Sequence, residues 1–199
     1  HLVIRRQRQM CIRDRPYITM TILLTNDDGY DADGICYLKN EIKKIEQTVT
    51  FAPRQNCSGY SAAISLGKDI DVQELNKDTF VISGTPADCS YFGLHGSKKF
   101  NFTQLVSGIN LGSNLGTDIF YSGTVGAAIA GLKLRYPPIA FSVASYQPKD
   151  LDFIAKKCVE ICLYVRNTNI ANRYLVNVNF PDICLLYTSD AADECPGVV

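Results

Sequence analysis

Short apolar runs alternate with stretches of helical period along most of this chain, and that alternation is the strongest constraint on its fold. TILLT at 21–25 is followed by Ile35, Leu38, Ile42 and Ile45 at helical spacing, then by a β-prone run at 48–52 that Pro53 ends. Another run lies at 80–83, after which Thr85 and Pro86 supply an N-cap and a first-turn proline for a helix reaching about residue 94. Strands are predicted at 105–109, 139–143 and 174–179, separated by helical patterns at 122–134 and 151–165. Strands alternating with helices imply an α/β fold with a mostly parallel sheet covered on both faces. Right-handed crossovers then gather the carboxyl ends of the strands, where such sheets bind ligands, along one edge.

The first of those ends carries TNDDG at 25–29. Neighbouring strand residues point to opposite faces, so Asp27 and Asp28 converge only if the chain turns, as Gly29 permits. Two close carboxylates repel, and one takes up a proton unless a cation lies between them. A hard divalent metal satisfies both. Three further strand-end segments are rich in oxygen atoms or free amides: PRQNCSGYS at 53–61, SGINLGSNLG at 107–116 and YSGTVGAAIAG at 121–131. The second sets Asn110 and Asn114 among glycines, and asparagine carbonyls suit Mg²⁺, Mn²⁺ or Ca²⁺. The third places Ser122, Gly123 and Thr124 at a helix start, where unpaired amides favour an anion such as phosphate. Singly, these segments are ordinary turns and N-caps. Together, at the ends of strands, they make one candidate site.

Composition narrows the function classes. With 199 residues, 46% hydrophobic and 20% charged, the chain suits one main globular domain. Twenty basic residues balance twenty acidic ones, so no overall field draws in nucleic acid polymers or an anionic membrane. Eight scattered cysteines, with no signal peptide and no membrane-spanning apolar stretch, point to reduced thiols in the cytoplasm. Cys158 and Cys162 lie one helical turn apart without a second Cys or His pair, so buried helix packing is expected of them. Only two histidines occur, His1 and His95, which argues against a histidine-nucleophile phosphatase. HLVIRRQRQMCIRDRP at the start and CLLYTSDAADE at 184–194 lack a helical or strand period and resemble translated sequencing adapter. The expectation is therefore a core over 20–183, with extraneous tails at 1–19 and 184–199.

TNDDGYDADGI, APRQNCSGYSAAISL, SGTPADCS, LVSGINLGSNLGTDIFYSGTVGAAIAG and LVNVNFP resemble, in order, the sequence blocks of the SurE family of survival-protein nucleotidases, over roughly 20–181. The resemblance implies a three-layer αβα Rossmann-like core with a mostly parallel sheet. It also implies a metal-dependent phosphomonoesterase that hydrolyses nucleoside monophosphates, a 5'-nucleotidase that in some members is also a 3'-nucleotidase and exopolyphosphatase. Carried onto this chain, the family's cation ligands are Asp27, Asp28, Ser58 and Asn110. One Mg²⁺ or Mn²⁺ is implied, with Asp27, Asp28 and Asn110 in catalysis and Asn56, Ser122, Gly123 and Thr124 toward the substrate phosphate. Water is the nucleophile in this scheme, and Asp27 is the candidate to orient or deprotonate it. Two departures stand out. Cys57 occupies the position before the ligand serine, where family members often carry a basic residue, and family chains continue beyond the NVNFP-type strand into segments that build a dimer or tetramer. A truncated chain with impaired assembly is the expectation. A haloacid-dehalogenase reading fails because adjacent Asp27 and Asp28 do not give DxDx[TV] spacing. The remaining alternative is a nucleotide-binding or regulatory module without turnover.

Overall fold

A computed structural model describes residues 20–182. The described strands are β1 (Thr21–Thr25), β2 (Gln47–Pro53), β3 (Val72–Asn76), β4 (Thr79–Ile82), β5 (Phe102–Leu111), β6 (Ile139–Val143) and β7 (Val176–Phe180). The described α-helices are α1 (Asp33–Ile42), α2 (Pro86–Tyr91), α3 (Gly123–Ile129) and α4 (Leu151–Asn167). The strands form one sheet in the order β3-β4-β2-β1-β5-β6-β7, parallel throughout except where β3 pairs antiparallel with β4. This is the expected α/β architecture. From central β1 the chain steps outward through β2 to β4, then crosses back to the other side of β1 for β5, β6 and β7. The reversal leaves a crevice between the carboxyl ends of β1 and β5, the place where doubly wound sheets bind ligands.

Both faces of the sheet are covered. Ile22 and Leu24 of β1 point to one side, against Ile35, Leu38 and Ile42 of α1 and Ile154, Cys158, Cys162 and Val165 of α4. Leu23 points to the other, into a cluster with Phe51, Phe80, Leu105 and Val125 beneath α2 and α3. A strand buried on both faces reads as a continuous apolar run, which is why β1 was legible. Cys158 and Cys162 are fully buried packing residues, and burial pushes the Cys162 thiol up to about 12. Helix α2 starts where the proline pattern placed it: Asp88 N–H donates to Thr85 Oγ1 at 3.1 Å and Thr85 N–H to Asp88 Oδ2 at 2.8 Å, a reciprocal capping box.

Several boundaries differ from the sequence pattern. Helix α1 stops at Ile42, leaving Ile45 in the following turn and 41% exposed. Helix α2 ends at Tyr91 and continues as a π-type turn at Phe92–Gly96, while α3 gives way to a 3₁₀ turn at Ala130–Lys133, the tightening common at helix ends. Strand β3 escaped the pattern entirely. All five of its residues are exposed on an edge, so no buried face imposes alternation on its sequence. Among the described residues no helix is long and apolar enough to cross a membrane. The two expected tails, 1–19 and 184–199, lie outside the described residues.

Candidate active site

At the end of β1 the fully buried Asn26 donates from Nδ2 to the carbonyl of Gly29 at 2.7 Å and closes a turn. Gly29 sits at φ +116°, backbone that a side chain would strain. The turn presents Asp27 and Asp28 at the crevice. Asp27 is 3% exposed and held from two sides: Cys57 N–H donates to its main-chain carbonyl at 2.7 Å, and Thr124 Oγ1 donates to its Oδ1 at 2.6 Å. Helix α3 can begin this close only because residue 123 is glycine, where an added Cβ would lie 2.8 Å from Asp27 Cβ and 2.9 Å from its Oδ2. Half-buried Asp28 accepts from Asn56 Nδ2 at 3.3 Å, and Asn56 Oδ1 accepts from Ser58 N–H at 2.9 Å. The loop carrying Ser58 is thereby attached to the second aspartate.

The fourth expected ligand comes from β5. A register shift between Ser107 and Asn110 bulges the strand, and Asn110 then pairs with Ser142 of β6. Asn110 donates from Nδ2 to the Gly112 carbonyl at 2.7 Å, which orients the amide and leaves Oδ1 as the atom able to accept a hydrogen bond or ligate a cation. Asp27, Ser58, Asn110 and Ser122 line one cleft of about 320 Å³, joined by Asp118 and by no lysine or arginine. Ser122 caps α3 by accepting from Val125 N–H at 3.1 Å. That helix has only seven residues, and the Thr124 amide already interacts with the Asp27 carboxylate, so the Gly123 amide, more than a helix dipole, is its offering to an anion.

Each residue selected from the sequence thus lies at this crevice, though not each in the same way. The side chain of Thr124 is buried and turned toward Asp27, and Asn56 reaches the site through Asp28. Sequence reasoning missed a polar network behind Asp27. Asn114 Nδ2 reaches Ser142 Oγ at 2.8 Å and Thr124 Oγ1 at 3.4 Å, the Asn114 N–H donates to Asn179 Oδ1 at 2.8 Å, and the Asn114 carbonyl accepts from Asn177 Nδ2 at 2.8 Å. Because the Asn114 amide nitrogen donates into Thr124, the single threonine proton goes to Asp27. One signal was available: Asn177 and Asn179 alternate along a strand and so share a face.

Electrostatics indicate the kind of partner that suits the crevice. Burial and the proximity of Asp27 push the Asp28 carboxyl up to about 6, against the opposing main-chain amide of Leu111. Asp27 is also raised, chiefly by burial, with the Thr124 hydroxyl opposing. Two carboxylates this close, without a basic side chain in the lining, are costly unless a cation joins them. The donors are hard oxygens, and among the described residues no three His, Cys, Asp or Glu gather into a metal-binding cluster, at this crevice or elsewhere. Buried Thr25 Oγ1 and Asn26 Oδ1, at the same strand end, have no hydrogen-bond partner. The set fits Mg²⁺ or Mn²⁺ and not a thiolate-seeking metal. His95 stands apart, exposed in the π turn with its ring against Tyr91.

A family model described as "Survival protein SurE" matches residues 22–195. The 5'-nucleotidase SurE of Acinetobacter baylyi is 40% identical over 172 residues, covering 84% of this chain and 68% of that protein. The 5'/3'-nucleotidase SurE of Wigglesworthia glossinidia brevipalpis is 40% identical over 169 residues, covering 84% of this chain and 67% of that protein. The crystal structure of the SurE protein from Aquifex aeolicus superposes with a TM-score of 0.74 at 38% identity, covering 82% of this chain and 66% of that one. The chain spans about two thirds of the length of these relatives.

Proposed function

The chain belongs to the SurE family, and from that premise we propose that it is a divalent-metal-dependent phosphomonoesterase that releases phosphate from nucleoside 5'-monophosphates. Extension to 3'-monophosphates and to short polyphosphate, a homo-oligomeric state and a cytoplasmic location belong to the same proposal. The observation that carries it is the pair of adjacent carboxylates, buried Asp27 and half-buried Asp28, at a strand end where Asp27 lines a cleft with Ser58 and Asn110 and no lysine or arginine.

In this reading Asp27, Asp28, Ser58 and Asn110 hold one Mg²⁺ or Mn²⁺. When bound, the ion neutralises phosphate oxygens and acidifies water. The chain's own residues do the rest. Thr124 keeps Asp27 Oδ1 occupied, so Oδ2 is the oxygen left for the cleft. The main-chain amide of Gly123 and the hydroxyl of Ser122, at the start of α3, would take the phosphoryl oxygens as they gather negative charge, while Thr124 serves through Asp27. Asn56 holds Asp28 and the Ser58 loop in register. Water attacks phosphorus, the ester P–O bond breaks, and the departing nucleoside oxygen takes a proton. An aspartate accepts the proton that the water loses.

Phosphate release from AMP with Mn²⁺ or Mg²⁺ tests the proposal. Asp27→Asn and Asp28→Asn keep size and remove charge, so each is expected to lower the rate by about a hundredfold or more, with chelator equivalent. Full activity in EDTA or in Asp28→Asn would sink the metal assignment. Tight AMP binding without turnover would point to a binding module instead.

A further inference from the structure

The rim of the cleft is aromatic. Tyr146 is 82% exposed and Tyr121 is 68% exposed, yet both line the same cleft as Asp27, Ser58 and Asn110. Exposure alone does not distinguish them, since Tyr164 is 69% exposed; what does is that both rings line one acidic cleft. Neither side chain has a stacking or hydrogen-bond partner among the described residues, whereas the exposed Tyr91 packs on His95. Both are anchored to the site. The Tyr146 ring lies on Gly112, where an added Cβ would be 3.1 Å from its Cε1, and the Gly112 carbonyl is the group that orients Asn110. Tyr121 directly precedes Ser122, and its carbonyl accepts from Ser61 N–H at 3.1 Å. The backbone that carries Tyr121 and the glycine that Tyr146 covers therefore belong to the loops that build the site.

We propose that Tyr121 and Tyr146 form the nucleobase platform of this cleft, taking a purine or pyrimidine ring by stacking. The inference rests on the nucleotidase reading and deepens it. A phosphate seated deep in the crevice forces the nucleoside outward over the rim, where these rings are the large apolar surfaces lining the opening, with Leu111 beside them. Every base has a π face, so such a platform favours nucleotides over sugar phosphates while discriminating weakly among bases. Asp118, also on the lining, is an acceptor for a sugar hydroxyl.

The test compares kcat/KM for AMP, CMP and ribose 5-phosphate in the full chain and in Tyr146→Ala, Tyr121→Ala and Tyr146→Phe. Each alanine variant is expected to lose about tenfold on AMP and CMP, mainly through KM, the range that stacking delivers. Ribose 5-phosphate is expected to change by no more than about twofold, and Tyr146→Phe to retain nucleotide efficiency. Equal losses on AMP and ribose 5-phosphate would overturn the platform, as would no loss on either. A change of oligomeric state in light scattering with KM intact would assign the tyrosines to a second copy of the chain and overturn it too. Should the wild-type protein turn over no nucleotide, the nucleotidase reading fails by itself. Calorimetric titration with AMP and with ribose 5-phosphate in EDTA then still decides the rim, because a platform requires tighter AMP binding that Tyr146→Ala abolishes.

Discussion

Thr124 shows how little of a side chain's role its type discloses. At a helix start it reads as a phosphate contact, but its hydroxyl is buried, donates to Asp27 and accepts from Asn114. Its proposed task is to position Asp27. Thr124→Val keeps shape and removes the donor, leaving Asp27 Oδ1 buried without a partner, and outer partners of ligating carboxylates commonly matter by about tenfold to a hundredfold. Thr124→Val is therefore expected to lower activity by that range and raise the Mn²⁺ concentration giving half-maximal rate, while Thr124→Ser stays near wild type. If valine and serine behave alike, the hydroxyl is not orienting the carboxylate.

Between elements, charge pairs matter where burial shields them. Lys39 of α1 and Lys43, the residue just after that helix, reach Asp78, in the turn between β3 and β4, at 3.1 Å and 2.9 Å. Burial alone would raise the Asp78 carboxyl, but the two ammonium groups outweigh it and hold it at about 2, below its ordinary 3.8. Lys39 is itself pushed down, because desolvation exceeds what its single carboxylate partner returns. The carboxylate, with two partners, is the member that gains. A group whose pKa is depressed by folding contributes stability above its unfolded pKa and loses it as pH falls through the folded one. Urea midpoints are accordingly expected to fall between pH about 4 and about 2, by an amount equivalent to about 1 kcal/mol after solvent screening of the part-exposed pair. Asp78→Asn should remove that component of the pH dependence. An unchanged acid profile in the variant would show the turn contributes nothing.

At the scale of the molecule, balanced charge and a small site cleft bear on the proposed substrate class. A cleft of about 320 Å³ is at the small end of ligand sites, and no excess of basic residues supplies the many phosphate contacts that polymer binding needs. Nucleoside monophosphates are expected to be hydrolysed while single-stranded DNA and RNA remain uncleaved internally, as a gel assay alongside phosphate release would check. Internal cleavage with AMP untouched would reverse the assignment. Doubly wound topology puts this cleft where it is: β1 and β5 are neighbours in space although α1 to α2 and three strands intervene in sequence.

Local pattern was sufficient for β1, β6, the capped start of α2 and the turn at Gly29, because burial on both faces, a proline after an N-cap and positive φ each leave a mark within a few residues. The adjacent carboxylates at a strand end were likewise legible, and the order of the blocks disclosed the family. Edge strand β3 and the short span of α3 left no such mark, since an exposed strand has no face to pattern and a helix end is set by what packs against it. The network behind Asp27 was the least legible part. Thr124 meets Asp27 across 97 positions and Asn179 meets Asn114 across 65, and contacts so remote in sequence exist only once β5, β6 and β7 lie side by side. Chemistry of the site is thus written in residue types near one another in the chain, whereas the direction in which Asp27 presents its oxygens is a property of the assembled sheet.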